Sequence, residues 1–495
     1  MALWKSKLMR FNIRSKKEFT KVQKKIVRGT FWMFVGVLIS KIFDLTSLFF
    51  VARYLPVEDF GKLSIIKSSV QTFVIFTTAS LGLTATKYMA KLFPQDKEKT
   101  SIVLSFLRLI IPILGFVLSL IIFFFSDIIA QYLFNDLSLV TATKLMAVAF
   151  FFSSLNAFQK GVLAGFEEFK IISILSIASG SLNGVLMIFS AYHYGLTGTF
   201  FVIAINSFFI WLISIYFTNR SISKRQIEFK LGRFNYIKSI LFSFTIPSFM
   251  SGLLVTPTIW YCNLLLIGIS DGYVEMALYT AAYNLALLTI TINSVIGKVF
   301  YPIVMKSFNK NNIFIDKINL ILPFMLGVAI NTPLIIFPEV MGFAYGVKYN
   351  NHHAYLTLVL ILNFTIIMAF KDGIARNFAA ANLMWFSFFS NLMWASMAII
   401  SMNFLKDEGS IGRALSFLLA YIISNLIFVF FYIRKELIPK NSLSISIIFI
   451  TILVLLSNAF YYFEIKNLSL RIFGFILIGI GHYFSFKNWI FKNNE

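Results

Sequence analysis

The sequence predicts an all-α integral membrane protein of about fourteen transmembrane helices: two six-helix lobes around a central cavity, plus a C-terminal helix pair. Three observations carry that expectation. The first is composition: 58% of the 495 residues are hydrophobic and 13% are charged, against ~45–50% and ~25% in soluble domains. The second is distribution. Apolar residues fall in blocks such as Ser101–Phe125 and Asn441–Tyr462, long enough to cross a ~30 Å hydrocarbon core at ~1.5 Å per helical residue. The third is an alternation of basic and non-basic connections along the chain.

Hydrophobic blocks, read against turns and charges, give the elements in order. The first six spans are Gly29–Val51, Leu63–Ala85, Ser101–Phe125, Leu139–Phe158, Ile171–Tyr192 and Thr197–Phe217. They form an N-lobe over residues 29–217, preceded by a basic segment at 1–28 and followed by a basic connector at 218–239. The next six are Ile240–Ile267, Met276–Ile303, Ile318–Val340, Tyr355–Phe370, Leu383–Phe404 and Ile411–Ile433, a C-lobe over 240–433. Ser442–Tyr462 and Leu468–Phe486 complete the chain within 434–495.

Orientation follows from the Lys and Arg count. With the N-terminus inside, the inner connections hold 32 and the outer ones 7, Arg413 and Arg471 being counted with the outer surface. Acids divide ten and ten, as expected when basic residues alone set topology. Both termini are therefore expected in the cytoplasm. Residues 1–28 carry ten Lys or Arg and one acid, so they orient the first span and also suit the anionic inner leaflet. Six spans, a connector and six more put both halves in one orientation, the layout of a parallel repeat. Sequence support is slight: acidic Glu58 and Asp59 precede LSIIKSSVQ, and Asp271 and Glu275 precede LYTAAYNLA.

Six charges fall inside spans: Lys41, Asp44, Lys67, Arg108, Lys144 and Lys298. Each costs ~2.5–3.5 kcal/mol at a helix centre on insertion scales, so each needs a reason. Arg108, Lys298, Lys67 and Lys144 lie near span ends, where a long side chain reaches the interface by snorkelling. Lys41 stands near mid-bilayer, with Asp44 three residues on and on the same helical face. That pair reads either as a packing device or as a cavity wall and ion-coupling site. Span two adds a polar stripe of Ser64, Lys67, Ser68, Gln71 and Thr78; span eight adds Tyr283, Asn284, Thr291 and Ser294. Both stripes also suit helix–helix hydrogen bonding. Span seven is broken by Pro247, Gly252 and Pro257, as backbone lining a cavity permits. A central cavity is expected between spans one, two, seven and eight. Its five basic residues against one acid suit an anionic cargo.

Enzyme chemistry has little support. There is no HExxH, GxSxG, phosphate loop or CxxC, the outer loops are short, and no cofactor is expected. Cys262 is the only cysteine, so no intrachain disulfide or multi-thiolate metal site is possible. His352 and His353 read as exposed polar residues rather than metal ligands. No nucleic-acid partner is expected.

Several strings resemble a known family. ARYLPVEDFGKLSI (Ala52–Ile65) and QKGVLAGFEEFK (Gln159–Lys170) are similar to turns of bacterial polysaccharide-unit exporters. Ser251–Leu285 and Ala381–Tyr421 resemble helices of Wzx-type O-antigen flippases. The resemblance implies the two-lobe fold shared with multidrug and toxin exporters and the lipid II flippase. It implies transport of an undecaprenyl-pyrophosphate-linked oligosaccharide across the bacterial cytoplasmic membrane, with ion coupling and without a reaction on the sugar. A polysaccharide polymerase and a chain-length regulator would be partners. Lys41, Lys67, Gln71, Lys144, Asn284 and Lys298 would face the cargo, and Asp44 would couple ions. The rival readings are a multidrug antiporter of the same fold and a membrane polymerase or glycosyltransferase.

Overall fold

The structure is a computed structural model that describes residues 21–93, 95–230, 237–238, 246–307, 313–381, 383–435, 437–438, 445–463 and 467–492. No strand occurs among them. Most of the basic N-terminal segment, part of the connector, and the side chains of Lys298 and Thr78 lie outside the described residues.

The N-lobe comprises α1 (Lys21–Tyr54), α2 (Val57–Leu92), α3 (Lys97–Phe124), α4 (Val140–Gly165) and α5 (Phe169–Lys224). Start signals are local. Pro56 opens α2, whose first turn carries Glu58 and Asp59 where the helix dipole favours acids. Asp96 caps α3 by accepting from Lys99 N at 2.9 Å. The C-lobe comprises α6 (Ile246–Ile267), α7 (Gly272–Ser307), α8 (Ile313–Ile336), α9 (His352–Ala380), α10 (Met384–Leu405) and α11 (Gly409–Arg434). The final pair, α12 (Ile445–Tyr462) and α13 (Leu468–Lys492), packs on α8.

Among the described residues, eight segments are long and apolar enough to cross a membrane. Two of them, Phe169–Lys224 with 56 residues and Trp385–Arg434 with 50, are hairpins. Their bends share one device. Gly195 (φ 58°, ψ −147°) turns α5 back on itself, and Gly409 (φ 61°, ψ −133°) joins α10 to α11. Only glycine takes that backbone region readily. Each is followed three residues later by another glycine, Gly198 or Gly412, pressed against the preceding limb. The two lobes therefore turn their last hairpins the same way. Lipid is the surrounding solvent: Ile113, Phe116, Val117, Ile121 and Phe124 of α3 are all exposed, a surface water would not stabilise.

Helix ends correct two sequence expectations. The tenth span does not stop at Phe370, because α9 continues to Ala380 and carries Lys371, Asp372 and Arg376 within it. Arg413 is not an outer-surface residue; it is fully buried one turn into α11.

Small residues set the approach of α1 to α5. Gly36 lies against Ser173, and Gly180 against Ser40, so tightly that a Cβ would come within 2.2 Å and 2.6 Å of those hydroxyls. Close approach through small residues replaces the hydrophobic driving force that lipid removes.

The hydrophobic cores are shared unequally. One face of the bundle carries the turns at 55–56, 125–139, 268–271 and 337–351; the other carries the basic connections. Near the non-basic face a single core draws on both lobes, from Val51, Phe60 and Phe150 to Tyr345, Leu358 and Phe417. Near the basic face there are two, one around Val103 and Val162 in the N-lobe and one around Leu320 and Ile374 in the C-lobe.

Candidate functional site

The stripe Gly36–Ser40–Asp44 that faces α5 ends in a carboxylate. Asp44 Oδ1 accepts from Asn183 Nδ2 at 3.5 Å, while Oδ2 lies 3.8 Å from Lys41 Nζ. Lys67 of α2 is within electrostatic range of both Asp44 and Lys41. Two helices thus bring three of the expected residues into one half-buried group, with two cations on one anion. Gln71, one turn beyond Lys67, is exposed beside it. The two stripe serines serve the helix itself: Ser64 donates to Phe60 O at 2.7 Å and Ser68 to Ile65 O at 3.0 Å.

Lys144 stands apart from this group. Its Nζ lies 5.8 Å from the centroid of Phe123, a ring on the exposed surface of α3, a cation–π contact at the lipid boundary. Arg108 is likewise exposed and donates to Asn219 at 3.3 Å.

The C-lobe interior is polar and aromatic. Tyr279 and Tyr283 of α7 stack at 6.0 Å. Asn284 is buried, with no hydrogen-bond partner for its amide nitrogen among the described residues. Gly297, which precedes Lys298, rests on the Arg376 guanidinium; a Cβ there would be 2.9 Å from Nη1. Arg376 donates to Asn319 Oδ1 at 2.6 Å and to its carbonyl at 3.1 Å, and Asn319 donates to Asn377 at 2.8 Å. Asp372 and Lys371 flank this network. Sequence reasoning placed Lys371, Asp372 and Arg376 in a loop, so the interior holds a second acid that it missed.

Arg413 was missed as an interior group for the same reason. It donates to Asn263 Oδ1 from Nε at 3.2 Å and from Nη2 at 3.1 Å, and to Ile259 O at 3.3 Å. Its guanidinium carbon stacks 3.7 Å from the Phe417 centroid and 4.8 Å from that of Tyr279.

At the non-basic face the lobes are latched. Arg53 donates to Phe343 O, and Lys348 Nζ to Leu55 O at 3.2 Å. Tyr273 donates to Phe134 O, and Gly61 abuts the Tyr273 carbonyl so closely that a Cβ would sit 1.8 Å from its oxygen. Beside these contacts, and within the N-lobe, Lys62 bridges Glu58 at 2.9 Å and Asp136 at 2.8 Å. Burial alone would lower the Lys62 ammonium and raise the Asp136 carboxyl. Burial is the largest single influence on each, but the hydrogen bonds and charges of Glu58 with Asp136 around Lys62, and of Lys62 with Ser138 around Asp136, together outweigh it, so Lys62 sits above and Asp136 below its ordinary value. Deeper in the seam, Trp260 of α6 donates to Ser69 of α2 at 2.8 Å. The expected exposed histidines differ from each other: His352 is exposed, whereas His353 Nε2 pairs with Glu275 Oε2 at 2.9 Å. Among the described residues no cluster of metal-binding side chains occurs.

Residues 26–308 match the polysaccharide biosynthesis protein family. The chain belongs to that family. A Shigella flexneri protein carrying a provisional O-antigen transporter description is 24% identical to this family member over 435 residues, covering 84% of this chain and all of the relative. Solved structures share the fold. An inward-facing multidrug resistance MATE transporter of the MOP superfamily aligns with TM-score 0.65 at 16% identity, over 82% of this chain and 98% of its own. A MOP-superfamily transporter from Pyrococcus furiosus aligns with TM-score 0.62 at 17% identity, over 83% and 96%. Family and fold agree on a multi-pass helical membrane protein.

Proposed function

We propose that this family member is a flippase that moves an undecaprenyl-pyrophosphate-linked oligosaccharide, an O-antigen or capsule repeat unit, from the cytoplasmic to the periplasmic leaflet by alternating access. The observation that carries the reading is the Lys41–Asp44–Lys67 group, where α1 and α2 hold two cations on one anion in a partly open interior. A pyrophosphate offers the charge this group lacks, and Lys is suited to it as a point charge. Gln71 and Asn284 would offer amides to sugar hydroxyls, Lys298 of α7 would add a further cation, and Lys144 would contribute at the lipid boundary. The basic face is the cytoplasmic one, both termini lie there, and the latched non-basic face is periplasmic. In that orientation the cores separate towards the cytoplasm, the side from which cargo enters. Cargo that draws Lys41 away leaves Asp44 to be neutralised by an incoming ion, which couples transport to a gradient. A polymerase and a chain-length regulator would take the exported unit.

A drug antiporter of the same fold is the second reading, favoured by Asp372, a carboxylate able to hold a cationic cargo. Cells lacking their own repeat-unit flippase separate the two. The protein is expected to restore surface polysaccharide, Lys41→Gln with Lys67→Gln to abolish it at unchanged membrane level, and Lys144→Gln to retain most of it. Full export by the Lys41/Lys67 double variant would reject the cationic group as the cargo contact. Drug resistance without polysaccharide would support the antiporter.

A further inference from the structure

The basic face of the N-lobe holds a cavity of about 580 Å³ with no C-lobe residue in its wall. The α5 hairpin brings both its ends to one level, so Ile171 from the start meets Phe217, Arg220, Ser221 and Lys224 from the last turns. Glu168, from the turn before α5, completes the wall. That turn belongs to Gln159–Lys170, a string the cargo path does not use.

One cation there is committed to structure. Arg225 Nη2 donates to Glu168 Oε1 at 2.8 Å and to Phe166 O at 3.2 Å, and Nη1 donates to Ser221 Oγ at 2.6 Å and to Ser221 O at 3.0 Å. The guanidinium also stacks on Phe166, 4.6 Å from its centroid. Glu168, the cavity's acid, is thereby neutralised and the wall is fixed. Arg220 and Lys224 remain, one helical turn apart, exposed and without a partner among the described residues. Cations at the end of a helix offset its dipole, which explains their presence but not a cavity beside them. Below the cations the wall is apolar. Ile171 and Phe217 line it, and exposed Ile174 and Tyr216 continue it along both limbs of α5 towards the bilayer centre. Positive charge above and apolar surface below is the profile of a phospholipid at the headgroup boundary; a free phosphate has no use for the apolar part.

We propose that this cavity binds the phosphate headgroup of an anionic membrane lipid, with Arg220 and Lys224 as its cationic contacts and the apolar wall against its chains. The site is separate from the cargo path, so its test needs no transport. Purified full-length protein in neutral detergent, titrated with short-chain phosphatidylglycerol, should show saturable thermal stabilisation. Short-chain phosphatidylcholine and inorganic phosphate should give none at the same concentrations. Arg220→Gln with Lys224→Gln should weaken the phosphatidylglycerol response tenfold or more, as the loss of two interfacial cations implies. Both side chains are exposed, so the unliganded unfolding temperature of that variant should match the wild type. Lys238→Gln, an exposed basic residue outside the cavity, should leave the affinity unchanged. An unchanged affinity in the double variant would overturn the site. Equal saturation by inorganic phosphate would overturn the lipid and leave a free-phosphate site.

Discussion

A guanidinium with no exposed surface is costly unless every part of it is satisfied, and Arg413 meets most of that demand without a carboxylate. Asn263 accepts twice, Ile259 once, and Phe417 and Tyr279 cover the faces. Lysine cannot reproduce the flat fork or the stacking. Arg413→Lys should therefore destabilise the protein by about 1–3 kcal/mol, read as a lower unfolding temperature in detergent. Unchanged stability would mean that the stacked geometry contributes nothing. Lys41 and Asp44, one turn apart on α1, do pair at 3.8 Å, and Lys67, read from sequence as a span-end lysine, lies within electrostatic range of both. Arg413, Asp372 and Arg376 were misplaced because each lies within a few residues of a presumed span end, where the sequence has no marker for a helix that continues inside protein. Lys144 was legible as a charge in a span, but its direction, towards Phe123, depends on which face of α4 meets α3.

The hairpins show what the element scale adds. Gly195 and Gly409 adopt backbone angles that cost an L-residue about 1–3 kcal/mol. Gly195 has open space around its Cβ position, whereas a Cβ at Gly409 would come 2.4 Å from Glu275 Oε2. Gly195→Ala should thus lower stability through backbone strain alone, and Gly409→Ala should lower it further by displacing Glu275 from Ser410 N and His353. Thermal unfolding of the two variants tests the order; equal or absent losses would contradict it. In the sequence the expected repeat showed as layout and as a slight likeness after two acidic turns. Its clearer mark, Gly195-Leu-Thr-Gly198 beside Gly409-Ser-Ile-Gly412, is a short pattern whose meaning depends on the positive φ at its first glycine. The length of α9 was hidden because Lys371 and Arg376 look like parts of a loop until their partners Tyr421 and Asn319 are in place.

Across the whole molecule, two lobes are joined by a latch at one face and by separate cores at the other. Within the N-lobe, Lys62 and Asp136 brace the turn whose Phe134 carbonyl accepts from Tyr273 across the seam, and the pH dependence of that brace follows from their shifts. Asp136 is held below its ordinary value of 3.8, so its contribution to the brace is present above that value and fades as pH falls through the depressed one. Lys62 is held above 10.5, so its share is present below that value and is lost only at stronger alkali. Asp59, raised by burial and by Glu58 and Asp136 despite Lys62, works the other way: its share is fullest in acid and fades as pH rises through its raised value. Removing the Asp136 charge should loosen the turn that carries Phe134 and, through the Tyr273 contact, open the seam at neutral pH. Spin labels at the exposed Pro56 and Val347 positions, one on each lobe, should move apart in Asp136→Asn at pH 7 and stay close in the wild type. Identical distance distributions would mean that this brace gives the latch no support. The lobes, latch and paired lysines meet in one claim: a cation-rich interior carries a pyrophosphate head from the basic face to the other. Purified protein in proteoliposomes, given a prenyl-pyrophosphate oligosaccharide in one leaflet, measures that claim most directly. The account predicts gradient-dependent appearance of the sugar in the opposite leaflet, and a loss of that transfer in Lys41→Gln with Lys67→Gln; wild-type transfer by the double variant, or none by the intact protein, would contradict it.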